Sequence, residues 1–141
     1  MERVLTWLEA HKDWTIEFLR MYLGLILILK GFVFIRDMDQ LLGLIGLKNS
    51  LWLGGLFAHY IVLVHLLGGA FFLIGLITRV VAGFQIPIVA AGIFVVYAKE
   101  GLLSGTSNLE YTTFVFLGLV AFLFYGGGRL SVDHLLERKR E

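Results

Sequence analysis

Residues 51–98 read LWLGGLFAHYIVLVHLLGGAFFLIGLITRVVAGFQIPIVAAGIFVVYA, and Arg79 is the sole Asp, Glu, Lys or Arg among them. A helix rises about 1.5 Å per residue and a bilayer core is about 30 Å thick, so roughly 20 apolar residues cross it once. The quoted stretch is long enough for two crossings. We read them as Leu51–Ile77 and Val80–Ala98, joined across Thr78 and Arg79 alone. So short a joint forces an antiparallel hairpin and puts the arginine at one membrane face. Working outward, Ile16–Ile35 and Tyr111–Gly127 meet the same criterion of length and apolarity. The expected fold is an all-α membrane protein, a four-transmembrane-helix antiparallel bundle forming one domain over residues 1–141.

Composition narrows the chemistry. With 58% of its 141 residues hydrophobic, most of the chain has lipid as its solvent. The absence of cysteine excludes disulfide exchange, thiolate catalysis, iron–sulfur ligation and cysteine-based zinc sites. A formal net charge of +1, with basic residues in short pieces between apolar runs, gives no nucleic-acid footprint. The first apolar run is too long for a signal-peptide core, carries Lys30 and is followed by no small-residue cleavage site, so the N-terminus is expected to be retained.

The charges serve instead as topology signals. Four spans place Arg3, Lys12, Arg20, Arg79, Arg129, Arg138, Lys139 and Arg140 on one side and Arg36, Lys48 and Lys99 on the other. Because basic residues are retained on the cytoplasmic side, both termini are expected there, in the inner membrane of the cell. Trp7, Trp14, Trp52 and Tyr125 fall near span ends, where amphipathic rings favour the headgroup layer. The segment before the first span alternates apolar pairs with charges and suits an interfacial helix. Met38–Leu47, apolar but interrupted by Gly43 and Gly46, is too short to cross and reads as an outer-surface helix or re-entrant turn.

Glycines recur at seven-residue spacing, Gly24 with Gly31 and Gly68 with Gly75, while Gly92 and Gly118 lie on similar stripes of the last two spans. Small residues on one stripe let helix backbones approach where lipid supplies no hydrophobic drive, so these positions are expected to face other helices. Pro87 is expected to kink the third span near Gly83 and to open a local gap.

Three pieces carry a family resemblance: Arg20 with Leu23–Gly24 and Lys30–Gly31; Leu66–Gly75 running into Thr78–Arg79; and the terminal Gly126-Gly127-Gly128-Arg129-Leu130-Ser131-Val132-Asp133. In order and spacing the chain resembles, over nearly its whole length, the DoxX family of small bacterial and archaeal membrane proteins. The resemblance implies a four-helix membrane domain in a quinone-linked or thiol-stress-linked oxidoreductase assembly. It therefore implies a redox partner protein, with quinone as the cofactor to test for. It supplies no enzymatic mechanism. Family members often carry a glutamate where this chain has His65, so a carboxylate-based proton or cation role is not expected.

Ionisable groups inside a span are costly, about 2.5–3.5 kcal/mol for lysine on insertion scales, and mark interior partners or cavities. The candidates are Lys30, His59, His65 and Gln85. Lys30 and His59 lie at similar depth from the outer end, and His65 lies deeper on the face shared with Gly69 and Phe72. The functional reading makes Lys30, His59 and His65 the lining of one outer-facing pocket, with Glu100 and Tyr111 at its rim, able to hold a quinone or lipid. The plain reading has Lys30 snorkelling to the interface and His59 bonded to a backbone carbonyl. His59 and His65 are separated by roughly 120° around a helix and cannot share one metal or haem iron. His11 and His134 lie outside the spans, so haem b is not expected, nor any other metal site. Ser104, Thr106 and Ser107 lack a histidine–carboxylate set, and Gly126–Gly128 lacks the Lys and Ser/Thr of a phosphate loop. The glycines there are expected to end the fourth helix, with Ser131 capping a short basic tail helix. Two functions remain: a quinone-linked or thiol-stress-linked redox subunit, or a non-catalytic scaffold or small-solute transport module.

Overall fold

The computed structural model describes residues 2–47, 49–98, 108–128 and 131–138, with side chains described from residue 14 onward except at 51 and 137. The described residues form α1 (Glu2–Arg36), α2 (Met38–Leu44), α3 (Leu51–Ile74), α4 (Thr78–Ala91), a π-helical segment (Gly92–Tyr97), α5 (Asn108–Tyr125) and α6 (Val132–Arg138). Four runs are long and apolar enough to cross a membrane: Trp14–Arg36, Trp52–Ile74, Thr78–Tyr97 and Asn108–Tyr125. The short α2 is the expected non-crossing helix after the first span, anchored by buried Leu41 against Ala58 and Val62 of α3.

Glycine dictates how the first two spans meet. A Cβ on Gly24 would lie 2.6 Å from the Leu73 backbone nitrogen and 2.9 Å from the Gly69 carbonyl oxygen, so α1 and α3 cross with their backbones touching. The other expected glycine contacts divide. Gly31 abuts Leu66, Gly68 abuts the Gln85 amide and Gly118 abuts Leu23. Gly92 has no neighbour closer than 3.8 Å at its missing Cβ. Around these crossings Leu23, Leu27, Phe72, Leu119 and Phe122 form the buried core, with Phe72 and Phe122 edge-to-face at 5.3 Å between centroids.

The hairpin between the second and third spans is a correction to the sequence reading. The second span ends at Ile74, not Ile77, and the third begins at Thr78, not Val80, so Thr78 and Arg79 are helical and the turn is Gly75–Ile77. Gly75 takes the left-handed conformation, φ 72°, that terminates a helix at little cost only in glycine. It caps the helix and, as expected, also faces another helix, since a Cβ there would collide with Arg20 of α1. Ile77, at φ 45°, is the sole positive-φ residue other than glycine among the described residues.

Ile77 holds that conformation because the tail reaches back to it. Asp133 accepts hydrogen bonds from the backbone N–H groups of Ile77, at 2.5 Å, and Thr78, at 2.9 Å. It thus caps α4 from the far end of the sequence, the role a local Asp or Ser usually fills. The Asp133 backbone N–H donates in turn to the Gly75 carbonyl at 3.0 Å. As expected, Gly126 (φ 79°) ends α5, and the Ser131 hydroxyl caps α6 by accepting from His134 N at 3.2 Å.

Arg20 ties the same end of the bundle together. It is 3% exposed, pairs with the Glu17 carboxylate at 2.8 Å, and donates to the Gly127 carbonyl beyond α5. Any side chain on Gly75, Gly127 or Gly128 would collide with Arg20, Ser131, Thr78 or Glu17. The result is a polar clasp, buried at Glu17 and Arg20, that joins α1, the α3–α4 turn and the α5–α6 connection at the face that carries the termini. α4 remains α-helical through Gly83 and past Pro87, and the departure from α geometry comes later, where the backbone widens into a π-helix at Gly92.

Candidate functional site

The half of the bundle away from the termini contains a cavity of about 430 Å³. Its walls come from the C-terminal part of α1, the N-terminal half of α3, α2, the end of α4, the π-helical segment and the first turns of α5. Most of the lining is aliphatic or aromatic, including Leu27, Phe34, Ile61 and Val115. The polar exceptions include Lys30, His65, Tyr111 and Thr112. A π-helix adds one residue to a turn and displaces side chains from their α-helical positions, a feature common at functional sites. Here it forms one wall, running on from Pro87, which also lines the space.

Each polar group is fixed by its own helix. Lys30 is partly buried, and its ammonium lies 5.3 Å from the centroid of Phe34, one turn on, within cation–π range. His65 is 5% exposed; its Nδ1 is 2.8 Å from the Ile61 carbonyl oxygen, and its ring stands edge-on to Phe34 at 5.3 Å between centroids. Phe34 thus carries the lysine and the histidine on one aromatic partition. The Thr112 hydroxyl donates to Asn108 O at 2.6 Å.

Three of the expected site residues, Lys30, His65 and Tyr111, are brought together here. His59 is not. It faces outward, its Nδ1 2.7 Å from the Gly55 carbonyl oxygen, and lines a separate shallow depression with Trp52, Gly55 and Leu56. The reason is helical phase: matching depth does not compensate for an offset of roughly 120° from His65. Glu100, expected at the rim, lies outside the described residues, as does Lys99. Gln85 is fully buried beside Gly68, where its amide donates to Val64 O at 2.8 Å, and it belongs to helix packing, not to the cavity wall.

The sequence reading missed the clasp of Glu17, Arg20 and Asp133. Its signal was present: Glu17 and Arg20 are an i, i+3 pair of opposite charge inside the expected span Ile16–Ile35, whose one other charged residue is Lys30. The sequence reading takes Arg20 as a topology charge and as part of the family resemblance, not as a partner of Glu17. The π-helical wall has no comparable sequence signature beyond Gly92 following Pro87.

The architecture is that of a multi-pass membrane protein with four spans, an apolar cavity near one face and a polar clasp at the other. A family model described as DoxX matches residues 15–98, more than half of the chain and nearly all of its first three spans. The chain belongs to the DoxX family. The terminal segment Gly126–Asp133 lies beyond the matched region. No curated protein and no solved structure matches the chain.

Proposed function

We propose that the chain is the membrane subunit of a quinone-linked or thiol-stress-linked redox complex, and that its cavity holds a quinone or lipid. The observation that carries this reading is the cavity itself. A volume of about 430 Å³ is in the range of small-molecule sites, which are mostly apolar with a few fixed polar groups. A lysine ammonium and a histidine in such a wall suit an oxygen-bearing head whose apolar body stays in hydrocarbon. The aliphatic lining suits a ring and the first part of a chain.

The test is the quinone and lipid content of protein purified from native membrane. Lys30→Met and His65→Phe are expected to lose most of the bound molecule while remaining folded, and His59→Phe is expected to keep it. Unchanged content in folded Lys30→Met and His65→Phe would leave the polar groups structural and favour the scaffold reading.

The same reading places the cavity toward the outer leaflet and both termini in the cytoplasm. The chain has no cysteine, so single cysteines report cleanly. In intact cells a cysteine at position 2 or 141 is expected to be shielded from an impermeant thiol reagent, and one at Ser104 or Ser107 to be labelled. The reverse pattern would invert the orientation.

A further inference from the structure

His65 Nδ1 lies 2.8 Å from the Ile61 carbonyl oxygen, and a carbonyl oxygen only accepts, so the ring proton sits on Nδ1. A second cation is opposed in this cavity both by desolvation and by the Lys30 ammonium that shares the lining, so the imidazole is neutral. In the neutral ring Nε2 is then an acceptor and nothing else. The protein hydrogen bond of His65 is the one at Nδ1, and the ring itself lines the cavity. Lys30 is the opposite case, an ammonium with donors only. Both groups abut Phe34, the imidazole at 5.3 Å between ring centroids and the lysine Nζ at 5.3 Å from the ring centroid.

A cavity with an acceptor-only nitrogen beside a donor-only ammonium is matched by a molecule bearing one hydroxyl to donate and one oxygen to accept. A quinone has two acceptor oxygens and no donor, so its carbonyl would meet the Nε2 lone pair with its own. We propose that His65 selects the hydroxyl-bearing form: it accepts the O–H of a quinol at Nε2 while Lys30 donates to another oxygen of the same molecule, so the quinol is held in preference to its quinone. This rests on the reading of the cavity as a quinone or lipid site. Sites built to bond a ligand hydroxyl discriminate strongly against the analogue that lacks it, because the buried partner is left unmatched.

The experiment uses the full chain in lipid nanodiscs under anaerobic conditions, with empty nanodiscs subtracting partition into lipid. Three probes of nearly one shape are compared: 2-methyl-1,4-naphthoquinone, its hydroquinone, and the dimethyl ether of that hydroquinone. The hydroquinone is expected to bind about tenfold tighter than the other two, the worth of one buried hydrogen bond. In His65→Phe the three should bind alike. Equal or tighter binding of the quinone overturns the selection and leaves the cavity reading standing. Binding of none of the three overturns both. Nitrogen-15 spectra of histidine-labelled protein give a second readout that needs no ligand. The resonance missing from the His65→Phe sample should be that of a neutral Nδ1–H tautomer, and an Nε2–H tautomer or an imidazolium would overturn the proposal. If His65→Phe does not fold, the ranking of the three probes on the wild-type chain decides alone.

Discussion

Replacing Arg20 by methionine is expected to lower the stability of the folded chain by about 3–5 kcal/mol, the cost of leaving a buried charge without its partner. Glu17 and Arg20 are 4% and 3% exposed and lie 2.8 Å apart, so the substitution removes the cation that faces a buried carboxylate. It also removes the donor to the Gly127 carbonyl, which loosens the connection that aims Asp133 at the α3–α4 turn. Glu17→Gln in the same molecule should restore part of the loss, because the buried negative charge that faced Arg20 is then gone, whereas two independent defects would add. Arg79→Met is the control. Arg79 is exposed and donates to the Phe124 carbonyl at 3.1 Å, so its removal should cost about 1 kcal/mol or less. Reversible unfolding in mixed detergent micelles measures all four chains. A loss for Arg20→Met no greater than that for Arg79→Met would show that the clasp contributes no more than a surface contact.

The clasp and the cavity differ in how far each could be read from the residues. Four spans were legible because predominantly apolar stretches of about 17 or more residues have few alternatives to crossing a bilayer. The non-crossing α2 was legible for the same reason, by being too short. The hairpin boundary was misplaced by two or three residues because its determinants are non-local: Asp133, 56 residues beyond Ile77, supplies the cap that makes Thr78 helical. Pairing at such separation leaves no local pattern, although Gly75 was a visible stop signal that the apolar count overrode. In the cavity, Lys30 and Tyr111 were reached from depth alone. His65 was found because depth and helical phase agreed, and His59 was misplaced because its depth was given more weight than its offset of roughly 120° from His65. The π-helical wall could not be foreseen, since the residues Gly92–Tyr97 carry no pattern that separates it from an α-helix.

Exchanging glycine for alanine should have opposite signs at positions that look alike in the sequence. In a helix interior the change gains roughly 0.8–1 kcal/mol from propensity alone, provided the added methyl meets nothing. Gly55 and Gly83 satisfy that condition: no atom lies within 4 Å of a Cβ on Gly55, and the nearest to one on Gly83 is a Leu123 methyl at 3.9 Å. Gly55→Ala and Gly83→Ala are therefore expected to stabilise the chain slightly. At Gly24 the same methyl would stand 2.6 Å from the backbone nitrogen of Leu73, and at Gly69 it would stand 2.9 Å from both the carbonyl oxygen of Gly24 and the nitrogen of Ile28. Backbone atoms cannot rotate aside, so α1 and α3 must separate along the crossing. Gly24→Ala and Gly69→Ala should each cost about 3 kcal/mol, the upper end of the usual range for overpacking. The separation would also move Lys30 on α1 away from His65 on α3, so any molecule bound between them should be lost with the stability. Gly118 is the intermediate case, because its methyl would meet the flexible end of Leu23, and a smaller loss is expected there. Unfolding of the five variants side by side checks the order. If Gly24→Ala and Gly69→Ala are as stable as Gly55→Ala, the first and third helices do not cross on these glycines, and the cavity walls are not where the bundle places them.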